Sequence, residues 1–189
     1  MVGGSSSLRP AVFLDRDGVI VVPEFRDRRS FAPTKLADFR LYPEAAASLQ
    51  RLKRAGFLLA VVTNQPDVGN GLTARSEVEA MHDVIRQTLP VDVIKVCFHG
   101  HADCCQCRKP NPGMLLEAAG EFGIDFAKSY MVGDRASDVE AGRRTGCATV
   151  FIDLDYAEPA PASPDYVVRS VAEAADVIIE AALIMKEAS

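Results

Sequence analysis

From residue 11 to residue 186, short apolar runs alternate with stretches of helical periodicity. That alternation is the pattern of a parallel sheet covered by its own crossover helices. Ala11–Asp15, Phe57–Val62, Val91–Val96, Ser129–Val132, Ala148–Ile152 and Asp165–Val168 read as strands. Phe57–Val62 is apolar without interruption, as a strand buried on both faces would be. Pro43–Ala55, Thr73–Leu89, Asn111–Phe122, Ala136–Thr145 and Val171–Lys186 read as helices. Leu49 and Leu52 share a face of the first, and Gly56 stops it. Thr73 and Asn111 are the expected N-caps, with Pro112 following the latter at the first helical position. Asp155–Pro164, rich in Pro and Ala, is expected to be a connecting loop. The expectation is an α/β fold with a mainly parallel sheet and helices on both faces. One domain over residues 10–189 follows a flexible tail over 1–9, since 189 residues fill a single core.

A net charge of −5 argues against nucleic acid as partner and leaves no basic patch for a membrane. No apolar run reaches the roughly 18 residues that span a bilayer. Residues 1–7 lack an apolar signal core. Four of the five cysteines fall between 97 and 107 with His99 among them, which is no disulfide framework but a metal site in a reducing cytosol. A cytoplasmic monomer is expected.

The reactive residues fall where strands end, and ligands of open α/β sheets bind outside those carboxyl ends. Asp15-Arg16-Asp17-Gly18 places two carboxylates two apart after the first strand. Asp15 can attack phosphorus, and Asp17 can give a proton to the leaving oxygen and take one from water. Gly18 lets the backbone pass close to a phosphate. Thr63 and Asn64 put a hydroxyl and an amide at a second strand exit. Lys109 can neutralise phosphate and nucleophile together, and Arg108 can reach the substrate. Asp134 and Asp138 lie on one face of a first helical turn, a set that suits Mg²⁺. Taken singly, these are a solvated Asp-Gly turn, a turn former, a basic surface pair and an acidic helix cap. Their joint occurrence, in this order and at strand exits, favours a phosphate site.

Cys97-x-His99 and Cys105-x-Cys107 supply three thiolates and an imidazole, a closed tetrahedral Zn²⁺ set of structural type. Cys104 and His101 are spare donors. Cys105 is preferred because it completes the pair with Cys107. Cys147 is expected in the core, and His82 on the surface or packed.

With these residues, the chain resembles the haloacid dehalogenase (HAD) superfamily of phosphatases. The string Cys97-x-His99…Cys105-x-Cys107-Arg108-Lys109-Pro110 is similar to its zinc-containing branch, which holds heptose 1,7-bisphosphate and histidinol-phosphate phosphatases. The resemblance runs from Val12 to about Val168 and implies a Rossmann-like fold without a large cap domain. It implies Asp15 as nucleophile, Asp17 as acid and base, and Lys109 beside them. Mg²⁺ would take the Asp15 carboxylate, the Asp17 carbonyl and Asp134, with Asp138 behind them. Thr63, Asn64 and Lys109 would bind phosphate, with Arg16, Gln65, Arg108 and Arg135 among the substrate contacts. Zn²⁺ would take Cys97, His99, Cys105 and Cys107. Lys109-Pro110-x-Pro112-Gly113 looks like the heptose enzymes, whereas the five residues between His99 and Cys105 look like histidinol phosphatases. A non-catalytic zinc-stabilised binding module would require loss of a catalytic carboxylate, and Asp15, Asp17 and Asp134 are all present. The expected substrate is a heptose 1,7-bisphosphate, since Arg26, Arg28, Arg29, Arg108 and Arg135 offer cations for a second phosphate. Histidinol phosphate is the alternative.

Overall fold

A computed structural model of the chain describes residues 8–26 and 29–187. The strands are β1 (Ala11–Leu14), β2 (Glu24–Arg26), β3 (Arg29–Phe31), β4 (Leu58–Asn64), β5 (Val93–Cys97), β6 (Tyr130–Gly133), β7 (Ala148–Ile152) and β8 (Tyr166–Val168). The helices are α1 (Ala45–Arg54), α2 (Pro66–Gly69), α3 (Arg75–Thr88), α4 (Gly113–Phe122), α5 (Ala136–Thr145) and α6 (Val171–Glu187). Six strands form one wholly parallel sheet in the order β5-β4-β1-β6-β7-β8.

The side-chain period of two divides each central strand between two cores. Val12 and Leu14 of β1, with Leu59 and Val61 of β4, face Leu49 and Leu52 of α1, Met81 and Ile85 of α3, and Ile178 of α6. Ala11 and Phe13, with Leu58, Ala60 and Val62, face Met114, Leu115 and Ala118 of α4 and Ala141 of α5. Helices therefore cover both faces, which is why these strands carry no polar face. The chain steps outward from β1 through β4 to β5, then returns to the middle at β6 and steps outward the other way. The direction reverses between β1 and β6, which opens a crevice at their carboxyl ends.

Three local readings are corrected. Thr73 is not the N-cap of α3: Ala74 holds that position, and the Thr73 hydroxyl donates to the Thr34 carbonyl at 2.7 Å. Asn111 is not the N-cap of α4: Pro112 is, and the Asn111 amide donates to the Cys105 carbonyl at 2.8 Å. Both side chains bond outside their own helix. Arg9, assigned to the tail, bridges to Ile124 and bonds to Gly123 and Asp125; residues 1–7 lie outside the described residues. The antiparallel pair β2–β3 was not expected. Its strands have three residues each and leave Phe25 and Phe31 exposed, so no burial pattern marks them. Among the described residues, no helix is long and apolar enough to cross a membrane.

Candidate active site

Asp15 follows β1, and its backbone N–H donates to the Val132 carbonyl of β6, so the carboxylate emerges at the crevice. Its Oδ1 accepts from Lys109 Nζ at 2.8 Å and from the Arg16 amide at 2.7 Å. Lys109 Nζ also meets Asp138 Oδ1 at 2.7 Å and donates to the Val62 carbonyl at 2.7 Å. All three ammonium protons are thereby used. Two glycines make this crowding possible. A Cβ on Gly18, whose φ is +87°, would lie 2.1 Å from Asp134 Oδ2, and one on Gly133 would lie 2.2 Å from Asp138 Cβ.

Burial alone would lower the pKa of Lys109; the Asp138 and Asp15 carboxylates outweigh it and hold the group above the ordinary lysine value. Burial, then the charges of Asp15 and Asp138, push the Asp134 carboxyl well above the aspartate range. Asp138 is pushed up to about 6 by burial, with Asp15 adding and Lys109 opposing. Asp15, Asp134 and Asp138 offer oxygens within 4.8 Å of one another. When ionised, the three carboxylates outnumber Lys109 by two charges. Asp134 Oδ2 accepts from the Tyr156 hydroxyl at 2.6 Å, while Oδ1 is buried without a partner. An unpartnered buried carboxylate oxygen beside two further hard oxygen donors fits a divalent cation such as Mg²⁺.

Asp17 stands beside this cluster and lines the cavity. Arg16 Nε and Nη2 donate to it at 3.0–3.1 Å, and Gln65 Nε2 at 2.8 Å. This corrects the expectation for Arg16, whose side chain is 0 % exposed and is paired with Asp17 rather than turned to substrate. Gln65 is also buried, and its amide donates to the Thr63 hydroxyl at 2.9 Å. Thr63 is wholly buried at the end of β4. His82, on α3, is buried too, with Nε2 3.3 Å from Arg16 Nη1.

The Asn64 amide exchanges two 3.1 Å hydrogen bonds with the backbone of Lys109, donating to its carbonyl and accepting from its N–H. That exchange clamps the cysteine loop onto β4. In the loop, Cys97, His99, Cys105 and Cys107 form one group with donors within 4.8 Å. Neighbouring donors lie 3.2–3.6 Å apart. A tetrahedral zinc site with bonds of about 2.3 Å separates its sulfurs by about 3.7 Å, so the set fits Zn²⁺ after slight expansion. Burial and Cys107 push the Cys97 thiol up to about 12, a cost that a bound cation removes. Of the neighbouring spare donors, Cys104 is exposed, at φ +46°, and outside the group; the His101 side chain lies outside the described residues. Cys147 is buried, as expected.

A cavity of about 760 Å³ opens over Asp15, Asp17, Lys109 and Asp138, with Arg29, Asn64, Arg108 and Arg135 in its wall. Arg108 Nη1 donates to the His99 carbonyl at 3.5 Å. Arg135, expected at substrate, instead donates to Glu158 at 2.9 Å and to Ser30 at 2.8 Å, which ties the hairpin to the loop after β7. Arg26 is paired with Glu24 on the surface, outside the wall of this cavity. Arg28 lies outside the described residues. Tyr156 was missed because a Pro/Ala-rich connector carries no periodic signal; its ring packs on Phe25 with centroids 5.8 Å apart.

A parallel sheet with an aspartate-and-lysine cluster at its topological switch defines a hydrolase of the haloacid dehalogenase type. The family model described as HAD-hydrolase-like matches residues 106–174. The chain is 36 % identical over 154 residues to a Rhodopseudomonas palustris D-glycero-beta-D-manno-heptose-1,7-bisphosphate 7-phosphatase, covering 75 % of this chain and 82 % of the relative. It is also 36 % identical over 149 residues to the Pseudomonas aeruginosa protein of the same name, covering 76 % and 81 %. The crystal structure of the Bordetella bronchiseptica D,D-heptose 1,7-bisphosphate phosphatase, complexed with magnesium and phosphate, superposes with a TM-score of 0.77. It shares 27 % identity and covers 91 % of this chain and 99 % of that one. The chain belongs to the heptose bisphosphate phosphatase family of the HAD phosphatases.

Proposed function

We propose that the protein removes the 7-phosphate of D-glycero-D-manno-heptose 1,7-bisphosphate in a Mg²⁺-dependent reaction. The observation that carries this reading is Lys109 Nζ, fixed between Asp15 and Asp138 in the lining of the cavity, with the unpartnered Asp134 Oδ1 in the same carboxylate group. Asp15 attacks phosphorus and becomes the aspartyl-phosphate as the sugar oxygen leaves. Asp17 gives that oxygen its proton, then takes one from the water that hydrolyses the acyl phosphate. Lys109 neutralises the charge gathered on phosphate and nucleophile. Thr63 and Asn64 are assigned to the phosphate oxygens. Asp15, Asp134 and the Asp17 carbonyl would hold Mg²⁺, with Asp138 behind them, and the ion supplies further charge neutralisation. The thiolate–imidazole set would hold a structural Zn²⁺. We assign the protein to the cytoplasm, as a monomer; cysteines gathered as metal donors rather than into a disulfide framework support the compartment.

Arg29 and Arg108 in the cavity wall favour a second phosphate over the cationic amine of histidinol phosphate. Steady-state rates over a panel test this. kcat/KM for the bisphosphate should exceed that for the heptose monophosphate and for histidinol phosphate by at least about tenfold, the worth of about 1.4 kcal/mol. Arg108→Ala should narrow the gap. A preference for histidinol phosphate would transfer the protein to that substrate.

Tyr156 should support the cation through Asp134. Removing the hydroxyl partner of a metal ligand costs about 10–100-fold in affinity. Tyr156→Phe keeps the ring on Phe25, so its Mg²⁺ affinity, measured by calorimetry, should fall by that factor. Unchanged affinity would deny the hydroxyl that role.

A further inference from the structure

Among the described residues, Arg16 is the largest side chain that is fully buried. A guanidinium taken out of water must be compensated, and an ion pair so buried rarely stabilises a fold more than apolar residues of the same volume would. A role beyond stability is therefore the better account of this one. Asp17 takes two of its nitrogens in a fork, and the third, Nη1, lies 3.3 Å from His82 Nε2 and 4.0 Å from Met81 Sδ. The Phe39 ring centre lies 6.0 Å from its central carbon. Burial first, then the charge of Arg16, hold His82 down at about 3. The imidazole is therefore neutral. With Arg16 donating, Nε2 must be the acceptor and the proton must sit on Nδ1. Gln65 adds the further donor to Asp17 from the end of β4.

We propose that Arg16, anchored by His82 and joined by Gln65, is the positioning residue that fixes the Asp17 carboxylate for proton transfer. Arg16 keeps all its own protons and touches no substrate atom; Asp17 alone passes a proton to the leaving oxygen and receives one from water. The inference rests on the acid–base role proposed above for Asp17.

A double-mutant cycle with two substrates tests it. Arg16→Met keeps an unbranched apolar stem and removes the fork. A catalytic group misplaced by about 1 Å costs on the order of 10²-fold. Arg16→Met should thus lower kcat on the heptose bisphosphate by about 10–100-fold, with KM nearly unchanged. The loss should be smaller on p-nitrophenyl phosphate, whose leaving group needs little protonation. In an Asp17→Asn background Arg16→Met should cost nothing more, because the proton carrier is already gone. Equal losses on both substrates, additivity with Asp17→Asn, or a change confined to KM would overturn the proposal. If Arg16→Met does not fold, His82→Leu removes only the anchor and must produce the same leaving-group split with a smaller loss; no split overturns the proposal there too. Asp17→Asn measured alone separates the two ideas. If it leaves turnover of the bisphosphate intact, the acid–base reading itself fails.

Discussion

Asp15→Asn should lower phosphate release on the order of 10⁴-fold or more, the scale on which enzymes lose rate when a central catalytic side chain is removed. The amide has nearly the size of the carboxylate but no charge with which to attack phosphorus. The change sits at the most crowded point of the site, where Asp15 faces Lys109 and shares a small volume with Asp134 and Asp138. Removing one negative charge there relieves repulsion among the acids, while Lys109 keeps Asp138 and the Val62 carbonyl as partners. The fold should therefore survive, and circular dichroism and the melting temperature should stay close to those of the parent protein. The native protein, quenched in acid during turnover, should carry one phosphate on the peptide containing Asp15. Asp15→Asn should carry none. Near-normal turnover in a clean preparation of that variant would remove Asp15 from the nucleophile's role.

Loss of the thiolate set should have the largest effect on stability. One Zn²⁺ per chain is expected by elemental analysis, and Cys107→Ser should abolish it. Metal bound to a closed four-donor site contributes directly to folding, with apparent values of about 10–16 kcal/mol in small zinc peptides. Part of that belongs to local structure, so a loss of several kcal/mol is expected here, or a fall of about 10 °C or more in melting temperature. Turnover should fall with it, for a geometric reason. Cys107 adjoins Arg108 and Lys109, and the loop reaches β4 through the reciprocal Asn64–Lys109 bonds. A slack loop lets Lys109 leave Asp15. Cys104→Ser is the control: Cys104 lies outside the donor group and should retain the metal. Zinc loss in Cys104→Ser but not in Cys105→Ser would reverse that assignment.

The strands and helices were legible because burial on both faces leaves uninterrupted apolar runs in strands and a period of about 3.6 residues in helices. β4 falls on such a run and α1 on such a period. The hairpin β2–β3 escaped because its short, half-exposed strands bury almost nothing that could impose a pattern; among its described residues, Ser30 alone is buried. The N-caps assigned to Thr73 and Asn111 failed for a related reason. A side chain that can cap its own helix can equally well bond to a distant backbone group, and propensity does not say which.

By itself the sequence determined the fold class, the strand exits bearing Asp15, Asn64 and Asp134, and the family. Each of these follows from local periodicity or from reactive groups spaced within a few residues of one another. Only the tertiary structure decided which partners those groups keep. Cys105 rather than Cys104 joins the thiolate set, because the chain turns left-handed at Cys104 and leaves its side chain exposed. Arg135, in the cavity wall, bonds to Ser30, 105 positions away. Arg16 meets His82 across 66 positions, and Tyr156 meets Asp134 across 22. Such pairs depend on how loops fold over the carboxyl end of the sheet. Loops are not held by a repeating burial pattern, so nothing local in the sequence marks which of their polar groups will meet.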